Sequence, residues 1–76
     1  MTPEEREREQ CRQLASELMG GRPVDDGTID KLYLSIQHQS PRPGALLRRL
    51  QEMKARGVRE ASPESLADGV RMLHLL

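Results

Sequence analysis

The segment Thr28-Ile-Asp-Lys-Leu-Tyr-Leu-Ser-Ile-Gln37 decides the fold class, because its β-branched and aromatic residues are compatible with a strand as well as a helix. Its apolar residues follow the i, i+3, i+4, i+7 spacing of one helical face, at Ile29, Leu32, Tyr33 and Ile36. This spacing fits a period of 3.6 residues better than it fits strand alternation. The segment therefore predicts an amphipathic helix, with Asp26 or Thr28 as its N-cap.

Helix boundaries on both sides of this segment follow one pattern. Thr2-Pro3-Glu4-Glu5 is a capping box with proline in the first turn, and Ser62-Pro63-Glu64 has the same arrangement. Ser40, followed by Pro41 and Pro43, predicts the start of another helix. Glycines suited to a left-handed C-terminal cap follow at Gly20-Gly21 and Gly57.

Together these signals predict an all-α protein, a single helical domain over residues 1–76 built as a small bundle of about four short helices. The helices are expected at about residues 3–20, 28–37, 43–56 and 63–75.

Residues 1–10 are highly charged and predict a solvated or frayed extension of the first helix, with Glu4 and Arg8 as a favourable i, i+4 pair. Gly69 inside the fourth helix is expected to allow close packing. The expected core consists of Leu14, Leu18, Ile29, Leu32, Ile36, Leu46, Leu50, Leu66, Val70 and Leu73.

Length and composition limit the stability of such a bundle. The chain has 76 residues, of which 36% are hydrophobic, and Tyr33 is its one aromatic residue. Domains this small often need a disulfide, a metal or a partner for stability. The single cysteine excludes an internal disulfide and no metal-ligand spacing is present, so we expect an interface with a partner.

Charge and hydropathy exclude several classes of protein. The net charge is zero, with an acidic excess of three in residues 1–40 and a basic excess of three in residues 41–76, so neither half is a polyionic tail. No apolar run approaches the roughly 20 residues that span a bilayer. The N-terminus is acidic, unlike a signal peptide, and the cysteine content is low, so the expected location is the cytoplasm with no membrane partner.

The side chains that could take part in catalysis or metal binding do not form a catalytic pattern. Cys11 lies on the apolar stripe of the first helix, which predicts a buried structural thiol. His38 falls in a polar loop, and His74 lies near a helix C-terminus, where a protonated imidazole is favourable. Asp25-Asp26 lacks the alternating ligands of a calcium loop and is better explained by helix capping. We therefore expect no enzymatic activity, no catalytic residues, no metal and no cofactor.

A basic stretch in the third helix offers one functional hypothesis. Arg48, Arg49 and Arg56 are expected on the face opposite Leu46, Leu50 and Met53, and Arg42 precedes them. The second and third helices would then form a helix-turn-helix that contacts nucleic acid or an acidic partner. The long proline-rich connection, the neutral chain and Glu52 within the face favour an ordinary solvated helix instead.

Apolar residues that lie away from the core stripes offer a second hypothesis. Leu34 is nearly opposite the buried side of its helix, and Met72, Leu75 and Leu76 spread around the outer side of the last helix. Such residues mark an interface with another protein or with a second copy of the chain, as in a homodimer. The alternatives are a tail folded back on the bundle and isolated exposed leucines without a function.

The favoured function is accordingly a non-enzymatic protein-interaction module. Ten of the twelve basic residues are arginine, as in many proteins of GC-rich bacteria and their phages, so we expect a small bacterial or phage regulator, adaptor or inhibitor. The alternatives are a DNA-binding transcriptional regulator that uses the third helix and a small accessory subunit of an enzyme complex.

Overall fold

The computed structural model describes residues 2–37 and 44–72, which form four α-helices. They are α1 (Pro3–Leu18), α2 (Asp26–Gln37), α3 (Ala45–Ala55) and α4 (Pro63–Met72), and no strand occurs in these ranges. The predicted all-α bundle is confirmed. None of the helices within the described ranges has the length and apolar character needed to cross a bilayer.

Helix α1 has the predicted capping box at its start and the predicted glycine termination at its end. The Thr2 hydroxyl accepts a hydrogen bond from the Glu5 backbone N–H over 3.2 Å, and the Glu5 carboxylate accepts one from the Thr2 backbone N–H over 3.4 Å. Gly20 has a φ of 79°, and the Gly21 N–H donates to the Ser16 carbonyl over 2.8 Å. This left-handed termination ends the helix two residues before the predicted position.

Helix α2 is capped by Asp25, so the prediction that Asp26 or Thr28 caps it is wrong. The Asp25 carboxylate accepts a hydrogen bond from the Thr28 backbone N–H over 2.8 Å, which is the usual reach from an N-cap to the third helical residue. Asp26 is the first helical residue, and its carboxylate contacts arginines of α1 instead.

Helix α3 has an uncapped start and a capped end. Its N-cap residue is Gly44, which has a φ of 80° and makes no side-chain capping bond, whereas the predicted cap Ser40 lies outside the described residues. At the other end Gly57 has a φ of 84°, and the Val58 N–H donates to the Met53 carbonyl over 3.1 Å. The predicted role of Gly57 after the helix is confirmed.

The helices pack as two close pairs, α1 with α3 and α2 with α4. Helices α1 and α3 run parallel, because Glu7 lies beside Gly44 at the start of α3 and Glu17 pairs with Lys54 near its end. Eight of the ten expected core residues are buried, Leu14 is half-buried, and Leu73 lies outside the described residues. Further buried side chains are Cys11, Ala15, Met19, Val24, Ala45, Met53 and Ala67.

Gly69 of α4 lies against the end of the Met53 side chain of α3. A Cβ atom placed on Gly69 would lie 2.7 Å from the Met53 methyl carbon, a distance that requires the methionine to move. The absence of a side chain therefore allows Met53 to lie across α4, as predicted for this glycine.

Candidate protein-interaction surface

Leu34 on α2 and Met72 on α4 are the exposed large apolar residues of the described part of the chain. Leu34 is 63% exposed and Met72 is 62% exposed, whereas the other large apolar side chains there are buried or partly buried. Both residues lie on the outer side of their helices, opposite the core stripes that include Leu32 and Val70. Leu75 and Leu76, predicted for the same surface, lie outside the described residues.

A polar groove separates α2 from α4 on the outer side of this helix pair. Leu34 lies one helical turn from Lys31 of the groove, and Met72 lies one turn from Asp68. Apolar side chains with charged groups beside them are typical of the centre and rim of protein interfaces. The residues that line the groove are Lys31, Ser35, Glu64, Ala67, Asp68 and Arg71.

The predicted basic face of α3 is not a single exposed surface. Arg48 is exposed, but Arg49 is half-buried and turned toward α4, where its guanidinium donates to the Val70 carbonyl over 2.8 Å. Arg49 thus joins α3 to the backbone of α4. The expectation that Arg48 and Arg49 share one solvent-facing side of α3 is wrong.

The remaining charges of α3 are largely paired. Arg56 binds Glu52 one turn earlier over 3.1 Å, and Lys54 binds Glu17 of α1 over 3.0 Å. Arg42 lies outside the described residues. Helix α3 packs more extensively on α1 than on α2.

The first two turns of α1 contact α2 through charged side chains, although the sequence predicts a free extension. Arg8 contacts Asp30 over 2.8 Å and Asp26 over 3.5 Å, and Arg12 also binds Asp26. The expected Glu4–Arg8 pair is replaced by these contacts between helices. The sequence signal for this network is a basic i, i+4 pair, Arg8 and Arg12, together with an acidic i, i+4 pair, Asp26 and Asp30.

Cys11 is fully buried beneath Tyr33, as its position on the apolar stripe predicts. The Tyr33 hydroxyl donates to the Cys11 sulfur over 3.8 Å. Burial raises the pKa of the Cys11 thiol and also raises that of the Tyr33 hydroxyl, so both groups are neutral near pH 7. A protonated, enclosed thiol is a poor nucleophile.

No cluster of three His, Cys, Asp or Glu side chains suited to a metal ion occurs in residues 2–37 and 44–72. His38 and His74, the two histidines of the chain, lie outside these ranges.

Comparison with known proteins gives no family assignment. No protein-family model, no curated protein and no solved structure matches this chain.

Proposed function

We propose that this chain is a non-enzymatic protein-interaction module, a small regulator, adaptor or inhibitor that binds a protein partner through Leu34 and Met72. The observation that carries the proposal is the exposure of these two side chains on helices that pack against each other. Transfer of a leucine or methionine side chain from water into an interface contributes about 1.5–3 kcal/mol. The charged residues beside them would supply specificity for the partner.

A second copy of the chain is one candidate partner, because a two-fold dimer places the same surface on both subunits. A larger enzyme to which the chain binds as an accessory subunit would use the same residues. The DNA-binding alternative is less well supported, since Arg49, Lys54 and Arg56 are engaged within the protein.

Affinity capture followed by mass spectrometry tests the proposal. The bait proteins are the wild type, a variant with Leu34→Ser and Met72→Ser, and a control with Gln13→Ser and Gln51→Ser. The control changes two exposed residues on α1 and α3, away from the proposed surface. We expect a partner that binds the wild type and the control but not the first variant, and direct titration with the purified partner should repeat this order.

Two further measurements distinguish the alternatives. Sedimentation of the wild type at increasing concentration detects a homodimer, which the Leu34 and Met72 substitutions should dissociate. Heparin retention that falls steeply with salt and is lost on Arg48→Ala would favour nucleic acid instead. The proposal is wrong if the chain is monomeric and every captured protein binds the double serine variant equally well.

A further inference from the structure

The first two turns of α1 are attached to the rest of the protein mainly by charge. No apolar residue occurs between Glu4 and Gln10, and Cys11 is the first residue of the helix to be fully buried. In contrast, the second half of α1 is packed into the core through Ala15 and Leu18. The two halves of one helix are therefore stabilised by different forces.

Arg8 makes the contacts that hold this charged half on α2. Its guanidinium binds the Asp30 carboxylate, lies 3.4 Å from the Asp26 carbonyl oxygen, and lies 6.0 Å from the centre of the Tyr33 ring. Glu4 and Glu7 line the same cleft beside Tyr33. Because Asp26 and Asp30 are both more than half exposed, salt in the solvent weakens these ion pairs.

The same cleft lies over the Tyr33–Cys11 pair. Tyr33 is half-buried under the Arg8 side chain, and its hydroxyl covers the Cys11 sulfur. If the helix unwinds from its N-terminus past Gln10, Tyr33 loses its cover and Cys11 becomes the first buried side chain to reach solvent.

We propose that Arg8 is an electrostatic latch: when its contacts with Asp26 and Asp30 break, the first two turns of α1 open while the core remains folded. The opening exposes a second surface, formed by Tyr33 and Cys11, and ionic strength controls it. Arg12 marks the limit of the opening, because it binds Asp26 and donates to the Val24 carbonyl beside the buried second half of α1. This inference is independent of the partner proposed for Leu34 and Met72.

Thiol labelling of Cys11 under native conditions tests the latch. A cysteine reagent such as an aromatic disulfide reacts only when the sulfur is exposed, so the rate reports the fraction of open molecules. We expect Arg8→Gln to increase this rate about fivefold, the change corresponding to one exposed ion-pair network. The matched control is Arg6→Gln, which removes the same charge from the same helix at an exposed residue whose side chain has no partner among the described residues.

Low concentrations of urea separate local opening from global unfolding. Labelling through a local opening is nearly independent of urea, whereas labelling through global unfolding accelerates with the full denaturant slope. We expect a urea-independent phase in the wild type that Arg8→Gln accelerates and Arg6→Gln leaves unchanged. Raising the salt from about 20 mM to about 1 M, where the Debye length is about 3 Å, should accelerate the wild type but not Arg8→Gln.

Two results would overturn the latch. One is a labelling rate that follows global unfolding at every urea concentration, which would mean that the two halves of α1 open together. The other is an equal effect of Arg6→Gln and Arg8→Gln, which would assign the change to net charge rather than to the contacts of Arg8.

Discussion

The backbone N–H of Ala61 donates a hydrogen bond to the carbonyl of Leu18 over 2.9 Å and so joins the α3–α4 loop to the end of α1. The preceding residue, Glu60, adopts a left-handed backbone with a φ of 52°, unlike every other non-glycine residue in the described ranges. A left-handed conformation is costly for a residue with a side chain. The loop is therefore strained at Glu60 where it meets α1.

Glu60→Gly should stabilise the protein, because glycine adopts a left-handed conformation without steric cost. We expect the free energy of unfolding to rise by about 0.5 kcal/mol, after the greater flexibility of glycine in the unfolded chain is included. The control is Arg59→Gly, since Arg59 does not have a positive φ. Thermal denaturation should show a higher midpoint for the first variant and a lower one for the second; lower midpoints for both would contradict the prediction.

Leu50→Ala should destabilise the bundle far more than Leu34→Ala. Leu50 is fully buried, and truncation of a buried leucine costs about 2–5 kcal/mol. Leu34 is 63% exposed, and substitutions at such surface positions usually change stability by less than about 0.5 kcal/mol. Denaturant titration followed by circular dichroism compares the two variants. Equal losses would mean that Leu34 belongs to the core rather than to an interface.

Arg49→Ala should lower stability, whereas Arg48→Ala should not. Arg49 is half-buried and its charged donor binds the Val70 carbonyl, a type of hydrogen bond that contributes about 1.5–3 kcal/mol. Arg48 is exposed, and its side chain has no partner among the described residues. The free energies of unfolding of the two variants measure the difference. If both variants match the wild type, the Arg49 contact does not stabilise α4.

Acidic pH should lower the free energy of unfolding through the protonation of Asp25 and Asp26. The Thr28 backbone N–H lowers the pKa of Asp25, and the hydrogen bond from Arg12 lowers that of Asp26. A carboxyl whose pKa is lower in the folded state stabilises the fold above its unfolded pKa of about 3.9, and this stability is lost as the pH falls through the folded pKa. Stability is therefore expected to be constant near neutral pH and to fall below about pH 4.

Asp25→Asn provides a sharp test of this pH dependence. Asparagine retains the N-cap of α2 but cannot be protonated in this range, so the variant should remain folded at neutral pH and lose less stability in acid than the wild type. Denaturant titrations at neutral and acidic pH measure both quantities. If the variant loses as much stability between neutral and acidic pH as the wild type does, Asp25 does not contribute to the loss.

The start of α1 and the glycine terminations after α1 and α3 could be predicted from the sequence alone, because capping depends on residues a few positions apart. Thr2 contacts Glu5 three residues later, and Val58 contacts Met53 five residues earlier. The faces of the helices were also determined, since a period of 3.6 residues puts Ile29, Leu32 and Ile36 on one side. The same periodicity predicted the exposure of Leu34 and Met72, which is observed.

Tertiary structure decided which helices are neighbours, and with them the partners of the charged residues. Arg8 and Asp30 are 22 positions apart, and Arg49 and Val70 are 21 apart, so no local pattern brings them together. Helical spacing indicates that Asp26 and Asp30 share a face, but only the packing of α1 beside α2 sets arginines against them. Local periodicity determines the direction of a side chain from its own helix, whereas its partner depends on the position of a second helix, which the packing of the whole core sets.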